Sequence, residues 1–148
     1  MTNEEFEKRL QRLPEAVAKM SGVCAQLLPT PVSWDGENME LTMTFLTDEG
    51  VANPVGWVHG GMIATMFDNG MGVLAGCFAQ GAFTPTVTLN LEYLRPVPVG
   101  QQLLLHAKII KLGRNLIHMR GELMGDLGPT KPYATASAVF AIHQKMRM

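Results

Sequence analysis

From Gly60 to Phe78 every residue is small or apolar except Thr65, Asp68 and Asn69. A helix written this way has no solvated face, so it must be enclosed by the rest of its own fold or by a neighbour. Asp68 and Asn69 also cut the run short of the ~18 uninterrupted apolar residues that argue for a membrane span. The segment therefore reads as a core helix of a soluble protein. The chain has 148 residues, of which 47% are hydrophobic, enough for one compact domain with a sizeable core and too few for two. Charged residues make up 17% of the chain, below the usual ~25%. Covered surface is implied, and a homo-oligomer is its simplest cover. A net charge of −1 gives no overall attraction to nucleic acid or anionic lipid.

The start, Met1-Thr-Asn-Glu-Glu-Phe-Glu-Lys, is acidic and amphipathic, with neither the basic nor the apolar region of a secretion signal, so a cytoplasmic location is expected. Cys24 and Cys77 form no CxxC pair and read as reduced small hydrophobes. Residues 2–20 predict a helix with a Thr2/Glu5 capping box, with Phe6, Leu10, Leu13 and Val17 on one face and a break at Pro14. The whole N-terminal segment, 1–30, is expected to be largely helical. After Pro29-Thr-Pro31, the Trp34-Asp35-Gly36-Glu37 stretch predicts a hairpin turn into a strand with Met39, Leu41, Met43 and Phe45 facing inward. Four further strands follow the helix, at 86–94, 102–112, 115–124 and 133–143, separated by turn-rich segments. This order predicts one α+β domain over 1–148, an antiparallel sheet curled round the central helix 60–78.

The segment leading into that helix is Asn53-Pro-Val-Gly-Trp-Val-His59-Gly60-Gly61. Its two glycines let backbone N–H groups approach a bound atom without Cβ obstruction, and the helix dipole favours a carbonyl oxygen that becomes negative there. His59 and Asn53 add side-chain polar groups beside them. Asp68 is the only residue on the helix charged at neutral pH, and a buried carboxylate is costly unless hydrogen bonds or a function hold it. Thr65 and Gly72 share its face, leaving a small, partly polar surface. Gly61 and Asp68 lie roughly 10 Å apart along one helix, at 1.5 Å per residue. Two such helices packed antiparallel across a two-fold axis would place each Asp68 at the other's N-terminus, giving two shared sites per dimer. Gly70, Gly72 and Gly76 would permit that close approach.

The run from Asn53 to Asn69, with its His59-Gly60-Gly61 and an acid nine positions after the histidine, resembles the signature of hotdog-fold acyl-CoA thioesterases of the phenylacetate-pathway type. Asn90-Leu-Glu-Tyr-Leu-Arg95-Pro-Val-Pro-Val-Gly100 and Gly113-Arg114 extend the likeness over roughly 34–142. The resemblance implies a hotdog fold, a dimer or dimer of dimers, and hydrolysis of an acyl-CoA to free acid and CoA, with no cofactor beyond the CoA carried by the substrate. It implies that Asp68 is general base or nucleophile and that the Gly60 N–H, helped by Asn53, polarises the thioester carbonyl. His59 would order the loop, and Thr86, a position where relatives can have Ser, would help hold the water. Gly61, Thr65, Arg95 and Arg114 are the expected substrate contacts, the two arginines toward the phosphates of CoA.

Other readings are weaker. Gly70-Met-Gly72-Val-Leu-Ala75-Gly76 imitates a dinucleotide fingerprint but sits inside a helical run instead of between a strand and a helix. His106 and His118 fall on separate strands without metal-ligand spacing, so no metal is expected. The main alternative to the enzyme is an acyl-CoA-binding sensor that keeps the pocket without turnover, and the presence of Asp68 argues against it. A hydratase would need a different His/acid pattern. Met62, Met66 and Met71 are candidates for an adaptable acyl pocket or for ordinary core packing, and Lys108, Lys111 and Arg120 for a solvated basic face.

Overall fold

Asp35 organises the first hairpin. Its carboxylate accepts the backbone N–H groups of Glu37 and Asn38 and the Asn38 side-chain amide at 3.0, 2.9 and 2.7 Å. The hydrogen bonds from Asn38 hold the Asp35 carboxyl below its ordinary value. This turn joins β1 (Thr30–Asp35) to β2 (Glu40–Leu46). The computed structural model describes residues 1–13, 19 and 21–147. The expected helix break at Pro14 and the Val17 position lie outside them. β1 is a strand that the prolines conceal in the sequence. It sits at the sheet edge, where a missing N–H costs no ladder bond, and its register slips between Pro31 and Ser33.

At the N-terminus, α1 (Asn3–Leu10) is closed by Thr2 and Glu5, each side chain accepting the other's backbone N–H. Its Phe6 is fully buried edge-on against Phe78, with ring centroids 5.4 Å apart. A single turn, α2 (Val23–Gln26), follows. The long helix α3 runs Gly60–Phe78, and after it come β3 (Ala82–Phe83), β4 (Thr86–Tyr93), β5 (Gln102–Leu112), β6 (Leu116–Met124), β7 (Ala134–Ala141) and β8 (His143–Arg147). The main sheet is antiparallel in the order β1-β2-β5-β6-β7-β4, and β3 pairs with β8 separately. This is the α+β hotdog architecture, a sheet wrapped on one long helix.

Alternation places Leu41, Met43, Leu105, Ala107, Ile117 and Met119 on the sheet face that meets α3, all of them buried. The helix fits closely because glycine lines the contact on both sides. A Cβ at Gly121 would lie 3.1 Å from the Phe67 ring, and one at Gly70 would collide with Leu105. Gly70 is thus spent on the helix's own sheet and not on a second helix. A Cβ at Gly76 would meet nothing within 4 Å among the described residues.

The expectation of a helix buried on every side needs adjustment. Within one chain α3 buries Ile63, Met66, Phe67, Met71 and Leu74, whereas Thr65, Asp68, Gly72 and Gly76 form a half-exposed stripe. Met66 and Met71 are core packing, with no exposure at all, and only Met62 stays half-buried. No helix among the described residues is long and apolar enough to cross a membrane.

Candidate active site

Two polar clusters flank α3, one at each end of β4. The first is built at the helix start. Asn53 accepts the backbone N–H groups of Val55 and Trp57 on its Oδ1, at 3.1 and 3.0 Å, and Gly56 turns the chain at a φ of 85°. This is an Asx turn, and it leaves the Asn53 Nδ2 group as the side chain's donor. His59 is the N-cap of α3, and its Nδ1 accepts the N–H of Gly61 at 2.9 Å. Met62 N–H bonds back to the His59 carbonyl at 2.9 Å.

Of the first-turn N–H groups, Gly60 alone has no acceptor among the described residues. This corrects the expectation that both glycine amides face a ligand, because the Gly61 N–H is consumed by the histidine cap. A Cβ at Gly61 would press on the His59 ring at 3.1 Å, so that glycine serves the cap. A Cβ at Gly60 would meet only Tyr93, at an ordinary 3.5 Å. Among the described residues no close contact demands glycine at 60.

Gly60 lines a mostly apolar groove of about 290 Å³ together with Asn53, Trp57, Ile63, Tyr93, Leu94 and Arg95. The Arg95 guanidinium donates to the Pro132 carbonyl at 2.7 Å, which fixes it there. A second depression, of about 340 Å³, lies on the outer face of the sheet around Asn90, Arg120 and Ser137, away from the helix.

The second cluster is Asp68 with Thr86, whose hydroxyl donates to Asp68 Oδ1 at 2.5 Å. Strict alternation would put Thr86 on the outer face with Thr88, Asn90 and Glu92. A bulge between Thr86 and Thr88 rotates it inward instead, opposite Phe140, and onto the carboxylate. Thr65 is on the same helix face, with its hydroxyl bonded to the Gly61 carbonyl at 2.9 Å.

The two clusters do not meet within one chain. Gly60 and Asp68 are separated by roughly 12 Å of helix, and Thr86 and Tyr93 by roughly 20 Å of strand. Arg95 and Arg114 are likewise parted. Tyr93 is level with Ala134 and Leu123, whereas Thr86 is level with Phe140 and Ile117, beside the β5–β6 turn that carries Arg114. Lys108 is occupied by Glu40 at 2.5 Å on the outer face. The expected basic concentration is therefore dispersed over the molecule. The glycines that imitate a dinucleotide fingerprint lie within α3, where no phosphate loop can form.

Residues 55–127, which include the helix start, Asp68 and strands β4, β5 and β6, match the model of the Thioesterase superfamily. A phenylacetic acid degradation-related protein of Ralstonia eutropha is 31% identical, with a TM-score of 0.78 over 90% of this chain and 99% of that one. The chain belongs to the thioesterase superfamily. Among its thioesterase relatives, human acyl-coenzyme A thioesterase 13 is 32% identical over 69 residues, 47% of this chain and 49% of that protein. This chain thus spans about half the length of the curated relatives it matches first. A Streptococcus mutans protein solved with acetyl-CoA bound shares the thioesterase fold at 21% identity and a TM-score of 0.67, over 77% of this chain and 87% of that one.

Tyr93 was given no role by sequence reasoning. Its hydroxyl donates to the Gly60 carbonyl at 2.8 Å. The signal was available: Tyr93 shares strand parity with Leu89 and Leu91, so it faces the helix, and it brings a hydroxyl to an otherwise apolar row.

Proposed function

We propose that the protein hydrolyses acyl-CoA thioesters at sites completed by two copies of the chain. The observation that carries this reading is the open Gly60 N–H at one end of β4 and the Thr86-bound carboxylate of Asp68 at the other. β4 is a sheet edge whose Val87 and Tyr93 are each 55% exposed, and whose outward backbone groups lack a partner strand among the described residues. Antiparallel pairing of two β4 strands about their midpoint brings Thr86 and Asp68 of one copy to Gly60 and Tyr93 of the other. The same operation brings Arg114 of one copy to the end that holds Arg95 of the other, where the phosphates of CoA would enter. The half-exposed stripe of Thr65, Asp68 and Gly72 becomes buried by this partner.

In that site the thioester oxygen rests on the Gly60 N–H and the Asn53 Nδ2, with the helix dipole behind them. Asp68 acts either by taking a proton from water as the water oxygen attacks the carbonyl carbon, or by attacking directly, with water then releasing the acid. In both routes the C–S bond breaks, the carbon gains one oxygen from water, and the CoA sulfur leaves as a thiolate that is then protonated. Thr86 orients the carboxylate, and His59 holds the helix start in place through its cap. The two free cysteines suit the reducing cytoplasm.

The test is thiol release from a panel of acyl-CoAs by the native protein and by Asp68→Asn. Loss of about 10²–10⁴ in rate, the usual worth of a positioned acid–base group, is expected for the variant. Equal rates would remove Asp68 from the chemistry. Binding of acyl-CoA by both proteins with thiol release by neither would make the chain a sensor.

A further inference from the structure

We infer that Tyr93 is a positioning residue for the carbonyl-binding amide, its hydroxyl clamping the Gly60–Gly61 peptide so that the Gly60 N–H stays aimed into the groove. This rests on the hydrolytic reading of the site given above. The Gly60–Gly61 peptide is one rigid plane with an acceptor at one end and a donor at the other. The acceptor, the Gly60 oxygen, receives the Tyr93 hydroxyl at 2.8 Å, and the donor, the Gly61 N–H, is received by His59 Nδ1 at 2.9 Å. Neither glycine has a Cβ to restrict rotation, and a helix start is where backbone frays. Fixing that plane at both ends fixes the torsions of Gly60 and, through them, the direction of the neighbouring N–H.

Tyr93 is also coupled to His59 through the same peptide. A donor on the carbonyl polarises the amide and strengthens the N–H that His59 accepts, because hydrogen bonds in series reinforce one another. The cap requires Nδ1 to be the unprotonated ring nitrogen, so the ring's proton belongs on Nε2. Within one chain Tyr93 is 55% exposed, so its own fold holds the phenol by the bond to the Gly60 carbonyl more than by burial. Its ring lies against Gly60, where an added Cβ would be 3.5 Å from Cε1 and Cζ, so the ring forms part of the groove wall while the hydroxyl reaches the carbonyl.

Tyr93→Phe removes one hydroxyl and keeps the groove wall. The expected result is a fall in kcat of about three- to tenfold, the worth of one hydrogen bond, with KM changed by less than about twofold. In ¹⁵N-labelled protein the Gly61 amide proton should move upfield as its hydrogen bond to His59 weakens. A change confined to KM, an unchanged kcat, or an unmoved Gly61 amide each overturns the inference. If the native protein releases no thiol, the hydrolytic reading fails, and the Gly61 amide by itself still decides whether the clamp exists.

Discussion

Gly60→Pro deletes a single N–H from the helix start with little disturbance to the fold. Proline is favoured at the first helical position, where its fixed φ suits the helix and the missing donor is an orphan. The preceding residue, His59, has φ −62° and ψ 134°, the extended conformation that a following proline demands. A Cβ at position 60 meets only the Tyr93 ring, at 3.5 Å. Loss of unfolded-state freedom should leave stability unchanged or raise it by about 0.4–1 kcal/mol. Activity should fall by about 10²–10³, the cost of removing one oxyanion donor. Gly60→Pro and Asp68→Asn should then complement each other. In a heterodimer one site takes Asp68 from the proline variant and the helix start from the asparagine variant, and it is intact, while the other site lacks both. After random exchange about half of the dimers are mixed, so an equimolar mixture should recover about one quarter of native activity. The assay is thiol release before and after subunit exchange, with exchange followed by native mass spectrometry. Mixed dimers that remain as inactive as their parents would refute the shared site.

Two further outcomes follow from the core. Burial pushes the Cys77 thiol up to about 12, so at pH 8 only about one molecule in 10⁴ carries the thiolate there. A maleimide should therefore label one cysteine, Cys24, in the folded protein and two after denaturation, as read by intact mass; rapid double labelling of native protein would contradict the burial. Gly70→Ala should destabilise by about 1–3 kcal/mol in urea unfolding, because the added methyl collides with Leu105 in a core that has no slack.

The helix and strands β4 to β7 were legible because each is long, periodic and bounded by turn residues, whereas the short β3 and β8 were not. β1 was not, since Pro29 and Pro31 look like a break and become acceptable only once the strand is known to be an edge. The apolar run of α3 reads as buried on every side, yet half of that enclosure is absent within one chain, and composition does not distinguish a neighbour from the chain's own sheet. The Gly-Gly pair directs attention to the Gly60 amide, whose N–H has no acceptor among the described residues. That His59 would occupy the second amide was not legible, because only the N-cap torsions bring the ring back to Gly61. Likewise the sequence separates Asp68 from Thr86 by eighteen positions and places Thr86 on the wrong face by simple alternation. A bulge is invisible to a period of two.

The extra residue, Val87, is what lets Thr86 and Thr88 turn to opposite faces although they are two positions apart. Deleting it would leave Thr86 next to Thr88, still opposite Phe140 and still toward the helix. Sliding the same residues into an unbulged ladder, with Thr86 against Ala141, would turn the hydroxyl outward and empty the carboxylate's side of the strand. The contact thus depends on register more than on length.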